Sequence, residues 1–148
     1  MIYIIGARSN LSTVLKSKIF DSMLMAMDTV LSGGFDVNAN EDNIIIFNNF
    51  QPATRLNDIS SPQDYISNSV LSTACVLEKL KGTPVSKIIY SSSASVYGNN
   101  IYCKEQDMLQ PLNLHSALKI ANEKLIERFC TENGIDFTIA RVFNMYGG

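Results

Sequence analysis

Four short apolar runs, Ile2–Ile5, Asn43–Phe47, residues 87–91 and Asp136–Val142, recur along the chain with enough residues between them for a crossover helix each time. The runs are continuous rather than alternating, the pattern of strands covered on both faces. The intervening stretches 11–20, 62–80 and Leu114–Asn133 carry apolar residues three or four apart, the period of a helix with one buried side. Strand, crossover and strand in this order predict an α/β fold: a doubly wound, mostly parallel sheet with helices on both faces.

Local signals place the boundaries. Ser60-Ser61-Pro62 is a helix start, Lys81-Gly82 a stop, and Asn133-Gly134 a second stop. The predicted core stripes are Leu11, Val14, Leu15 and Ile19 on the first helix, Ile66, Val70, Ala74, Leu77 and Leu80 on the second, and Leu114, Leu118, Ala121, Leu125 and Phe129 on the third. Residues 23–40 allow two readings. Met23-Leu24-Met25-Ala26-Met27 is either a second strand, with a turn at Gly33-Gly34, or a prolongation of the first helix.

Composition excludes several classes of partner. With 148 residues, 46% of them apolar, the chain can bury one sizeable core and is expected to be a single domain. Lys and Arg number 12 against 14 Asp and Glu, and neither sign forms a block, which argues against nucleic acid and against a membrane surface. No apolar run approaches the roughly eighteen residues of a spanning helix, and Met1-Ile2-Tyr3-Ile4-Ile5-Gly6 lacks the basic leader of an export signal. Cys75, Cys103 and Cys130 are odd in number and far apart, and His115 is the one histidine, so no metal pattern exists. Free thiols in a reducing cytoplasm is the expectation.

In a sheet of this kind ligands bind beyond the carboxyl ends of the strands. The segments to examine are 6–12, 48–54, 91–98 and 143–148, all rich in Ser, Asn or Gly. Gly6-Ala7-Arg8-Ser9-Asn10-Leu11-Ser12 stands where a dinucleotide-binding turn belongs. Such a turn uses glycines for tightness, for close approach to pyrophosphate and for helix–strand contact. Gly6 is present and Ser9 and Ser12 fill the other two slots, so the segment is either a weakened cofactor turn or a plain strand-to-helix turn.

Ile88-Ile89-Tyr90-Ser91-Ser92-Ser93-Ala94-Ser95-Val96-Tyr97-Gly98 carries a more specific signal. With Asn68 in the second helix, Glu105 and Pro111 ahead of the third, Lys119 and Glu123 on it, and Arg141-Val142-Phe143-Asn144-Met145-Tyr146-Gly147 beyond, it resembles the extended short-chain dehydrogenase/reductase family of NAD-dependent nucleotide-sugar epimerases and dehydratases. The resemblance implies a Rossmann-like fold, NAD or NADP as cofactor and a nucleotide sugar as substrate. It places Gly6, Ser9, Ser12, Asp28, Ser91 and Lys119 with the cofactor, Ser93, Tyr97 and Asn144 with the substrate, and Ser93 and Lys119 in catalysis. It also implies a homodimer packed through helices 62–80 and 114–133.

The departures from that family shape the expectation as much as the match. The acid/base tyrosine belongs four residues before the lysine, on the same helix face. Here His115 occupies that position, a residue able to move protons near neutrality but shorter than tyrosine. Residues 7–42 are too few for the usual strand–helix–strand stretch, so one strand or helix, on the adenine side, is expected to be missing or shrunken. Phe50 stands where small residues let the cofactor pass. A substrate-binding portion following Gly148 is expected to be absent. Two functional readings remain: an impaired NAD(P)-dependent epimerase or dehydratase with His115 as acid/base, or a catalytically silent domain that binds a nucleotide or a partner and acts by association.

Overall fold

The computed structural model describes residues 1–50 and 61–143. Among these, strands β1 (Ile2–Ile5), β2 (Ser22–Met25), β3 (Asn43–Phe47), β4 (Val85–Ser93) and β5 (Asp136–Val142) form one all-parallel sheet in the order β2-β1-β3-β4-β5. The chain winds outward from β1 in one direction to β2, then returns and winds in the other through β3, β4 and β5. Right-handed crossovers on a sheet wound both ways put helices on both faces, as the apolar runs predicted.

Residues 23–40 contain both kinds of element. Ser22–Met25 pairs with β1 as an edge strand, and a short helix α2 (Met27–Leu31) follows at once. No strand lies outside β2 among the described residues, which matches the expected shortening. Loop 32–42 is instead pinned from within. Phe35 is buried edge-on against Tyr3 with ring centroids 5.7 Å apart, and the Asn43 amide nitrogen lies 2.8–2.9 Å from the carbonyls of Asn38, Glu41 and Pro84.

Helix α1 (Asn10–Lys18) follows β1, capped by Ser9. The second long helix opens with Ser61 as cap and Pro62 in the first turn, then runs as α3 (Pro62–Ile66), a π-helical stretch Ser67–Leu71, and α4 (Ser72–Leu80). Helix α5 (Leu114–Asn133) starts at the Asn113 cap and ends at left-handed Gly134.

The core lies between one sheet face, through Ile5, Ile45, Phe47, Ile88 and Tyr90, and helices α4 and α5, through Val76, Leu77, Leu80, Ile126 and Phe129. The predicted stripes are partly corrected here. Leu77, Leu80, Leu118 and Phe129 are buried, but Val14, Ile66 and Leu114 are exposed. On the second helix the buried side runs through Tyr65, Ser69, Thr73, Val76 and Leu80, because small polar residues there face the buried Asn49. On α5 it runs through His115, Lys119, Asn122 and Glu123, because that helix covers the polar ends of the strands. No helix among the described residues is long and apolar enough to cross a membrane.

Candidate functional site

The sheet order reverses between β1 and β3, and the crevice at their carboxyl ends is where a doubly wound sheet takes its ligand. Gly6 turns the chain out of β1 at φ +104°, pressed against the next loop so closely that a Cβ would lie 2.3 Å from the Asn48 carbonyl oxygen. Ser9 caps α1 by accepting the Ser12 N–H at 3.3 Å. From the other side of the crevice the Asn48 amide donates to Ser9 Oγ at 2.6 Å and to Ser12 Oγ at 2.9 Å. The two serines in the glycine slots are therefore tied to a residue of the β3 loop. Arg8 pairs with Asp28 at 2.9 Å, both side chains largely in solvent, a bridge worth about 0–1 kcal/mol.

At the end of β4 the serine run behaves differently from a loop. Ser91, Ser92 and Ser93 stay in the strand, in register with Ala140, Arg141 and Val142, because β5 offers them a partner edge. Ser93 then caps a short 3-10 turn, Ala94–Tyr97, by accepting the Ser95 N–H at 3.2 Å. Ser91 contributes its carbonyl, which accepts a 2.8 Å hydrogen bond from Lys119 Nζ. That ammonium also lies 4.3 Å from the Phe50 ring centroid and 5.1 Å from that of Tyr90, favourable positions for a cation on a π face. Burial pulls the Lys119 pKa down to about 8, with Glu123 opposing the shift.

His115 lies one turn before Lys119 on α5, buried, its ring edge-on to Phe50 at 4.8 Å between centroids. Its Nδ1 is buried without a hydrogen-bond partner among the described residues. Burial and then the Lys119 charge push its pKa down to about 4, so the ring is neutral at physiological pH. The linkage has a definite sign. Between about 6.5 and 4 the unfolded chain binds a proton at this residue that the native chain does not, so stability is full above 6.5 and falls as pH drops through that interval. A loss of about 1–3 kcal/mol is expected. Urea titrations at pH 7 and pH 4.5 should show it as a pH-dependent difference between the wild type and His115→Phe; the same pH dependence in both would remove His115 as its source.

A third group ties α5 to the sheet. Glu123, 2% exposed, takes a bidentate ion pair from Arg141, with Nε–Oε1 at 3.1 Å and Nη2–Oε2 at 3.0 Å, and a 2.6 Å hydrogen bond from Ser92 Oγ. Arg141 Nη1 donates to the Tyr97 hydroxyl at 2.8 Å and to the Glu105 carbonyl at 2.9 Å. A cavity of about 890 Å³ opens beside this group along β5, lined by Tyr97, Glu105, Phe137, Ile139, Arg141 and Phe143 among others.

The fold thus gathers Gly6, Ser9 and Ser12 on one side of the crevice, and Ser91, His115 and Lys119 around the end of β4. Asp28, in the first turn of α2 just beyond β2, reaches the turn at residues 6–12 through its ion pair with Arg8. Tyr97 is buried with its hydroxyl engaged by Arg141, and Asn144 lies outside the described residues. Sequence reasoning put Asn48 and Asn49 in a segment to examine but assigned neither a role. The Asn49 amide, fully buried, lies 3.2 Å from the Ser69 carbonyl, 2.6 Å from Ser72 Oγ and 2.9 Å from Thr73 Oγ1. The available signal was two asparagines at the end of an apolar strand, beside a helix rich in Ser and Thr.

The model of the NAD dependent epimerase/dehydratase family matches residues 39–148. The chain belongs to that family. A UDP-glucose 4-epimerase of Halalkalibacterium halodurans is 34% identical over 92 residues, which cover 60% of this chain and 27% of that relative. Among solved structures, a UDP-N-acetylglucosamine 4-epimerase from Methanobrevibacter ruminantium superimposes with a TM-score of 0.78 at 19% identity, over 99% of this chain and 55% of the other. A UDP-glucuronic acid 4-epimerase from Bacillus cereus in complex with NAD does so with a TM-score of 0.74 at 20% identity, over 99% and 56%. These structural likenesses show the fold. The chain spans little more than half the length of those structures.

The residues of this family member fit the dinucleotide in outline. The first turn of α1 faces the crevice, as an anion-binding helix start should, and Lys119 stands at the far side with an ammonium held by one carbonyl. Between them, Asn48 crosses the gap.

Proposed function

We propose that this chain is a nucleotide-binding member of the family that does not turn over sugar by itself and acts by association. The observation that carries the reading is the state of His115: neutral, buried against Phe50, and with a pKa of about 4. A general acid/base works best with a pKa near the operating pH, and this imidazole is a weak base there with no proton to return. NAD or NADP, when bound, supplies the hydride acceptor. Gly6, Ser9 and Ser12 would hold its pyrophosphate, Asp28 its adenine-side ribose, and Ser91 and Lys119 its nicotinamide side. Ser93 would orient a sugar oxygen, with Tyr97 and Asn144 assigned to the remaining sugar contacts. Ile66, Leu71 and Leu114 are exposed on the two helices read as a dimer surface, which favours self-association in the cytoplasm.

The second reading, an active epimerase or dehydratase of nucleotide sugars, is favoured by Ser93 and Lys119 both standing at the end of β4. The test is NMR of a panel of nucleotide sugars incubated with the chain and NAD or NADP across about pH 5 to 9, together with sedimentation of the same samples. It reads conversion of the sugar itself, because an epimerase or dehydratase returns the hydride and leaves no net reduced nicotinamide. Silence with a dimeric or larger species is expected. Turnover that depends on pH and vanishes in both His115→Ala and Lys119→Ala would establish the active reading instead.

A further inference from the structure

We propose that Asn48 latches the switch-point crevice, so that a dinucleotide seats only when its bridge to Ser9 and Ser12 opens; this rests on the reading of the crevice as a dinucleotide site. Asn48 is held from several sides. Its backbone N–H donates to the Ile5 carbonyl at 2.9 Å, its own carbonyl is packed against Gly6, and its amide nitrogen spends both hydrogens on Ser9 Oγ and Ser12 Oγ. Ser9 Oγ accepts the Ser12 N–H as well, so the start of α1, where an incoming pyrophosphate would look for donors, is already occupied by the chain's own groups.

Phe50, two residues further along the same loop, carries the closure to the other wall. Its ring meets His115 and the Lys119 ammonium, so the segment leaving β3 is fastened to α1 by hydrogen bonds and to α5 by aromatic contacts. Positions where a dinucleotide crevice needs small residues for backbone approach here hold three side chains that satisfy one another. A site that must first open binds with an affinity reduced by the fraction of molecules that are open. Asn48 is thus the residue that decides what the crevice admits.

The experiment measures NAD and NADP affinity by isothermal titration for the wild type, Asn48→Ala and the double variant Ser9→Gly with Ser12→Gly, with thermal unfolding of each as a folding check. Removing two net hydrogen bonds should raise NAD affinity about tenfold. In the wild type, saturating NAD should move the Asn48 side-chain amide resonances. Measurable affinity that is equal in all three proteins would overturn the latch and leave the dinucleotide reading standing. Weaker binding in Asn48→Ala also overturns it, since Asn48 would then be a ligand of the dinucleotide. Absence of binding in the wild type and in both folded variants overturns the latch and the dinucleotide reading together. Should neither variant fold, the wild-type resonances decide, and amide signals unmoved at saturation overturn the latch.

Discussion

Arg141→Met should lower the unfolding free energy by about 3–5 kcal/mol in urea titrations at neutral pH, the range for a buried charge left without its partner. Glu123 is 2% exposed, and without the guanidinium its carboxylate keeps, among the described residues, only the Ser92 hydroxyl. The reverse deletion is cheaper. Glu123→Gln leaves Arg141 with a side chain 20% exposed and still bonded to Tyr97 and Glu105, for a loss of about 1–2 kcal/mol.

Adding Glu123→Leu to Arg141→Met should recover most of the loss, since an apolar pair of similar volume replaces the ion pair at little cost. Equal and small losses for Arg141→Met and Glu123→Gln would mean that the pair behaves as a surface bridge.

Gly6→Ala should be destabilising by about 2–5 kcal/mol, the sum of a positive φ at an L-residue and of overpacking. At φ +104° the new methyl would lie 2.3 Å from the Asn48 carbonyl, and backbone cannot swing aside as a flexible side chain would. Gly82 is the control: its φ is +73°, but nothing lies within 4 Å of where a Cβ would stand, so Gly82→Ala should cost about 1–2 kcal/mol. Thermal unfolding of both variants without nucleotide checks the comparison. Equal losses would show that strain alone, and not the contact with the β3 loop, makes glycine necessary at position 6. The expected inequality means that the first glycine of the turn serves the chain's own packing whether or not a cofactor binds.

The strands and helix ends were legible because their causes lie within a few residues. Ile44-Ile45-Ile46-Phe47 has no helical side to present and no polar residue to face water, and Asn133-Gly134 stops a helix by its own backbone preference. Helical period is a weaker guide, since it shows that a helix has apolar residues at one spacing but not which side the rest of the molecule will cover. Leu114 fits the stripe of α5 and is exposed, while Lys119 and Asn122 are buried. The serine run after Ile88-Ile89-Tyr90 resembled a loop by composition, and became strand because β5 bonds to it.

The candidate site divides along the same line. His115 and Lys119 share a helix face by spacing alone, and the Gly6 turn follows directly from a strand ending in glycine. Their chemistry was not contained in that spacing. The neutrality of His115 comes from burial beside Phe50 and from the Lys119 charge, and Phe50 lies on a different crossover. Asn48 reaches Ser9 and Ser12 across 39 and 36 residues, and Glu123 meets Ser92 across 31 and Arg141 across 18. Such contacts form only once the parallel sheet has set β1 beside β3 and β4 beside β5. By itself the sequence determined the order of strands and helices outside residues 23–40, and the local turns, because backbone preference and apolar period act between near neighbours. The tertiary structure alone decided which polar side chains close the crevice and which charge is buried with which partner, because hydrogen bonds and desolvation depend on distances that only the packed sheet creates.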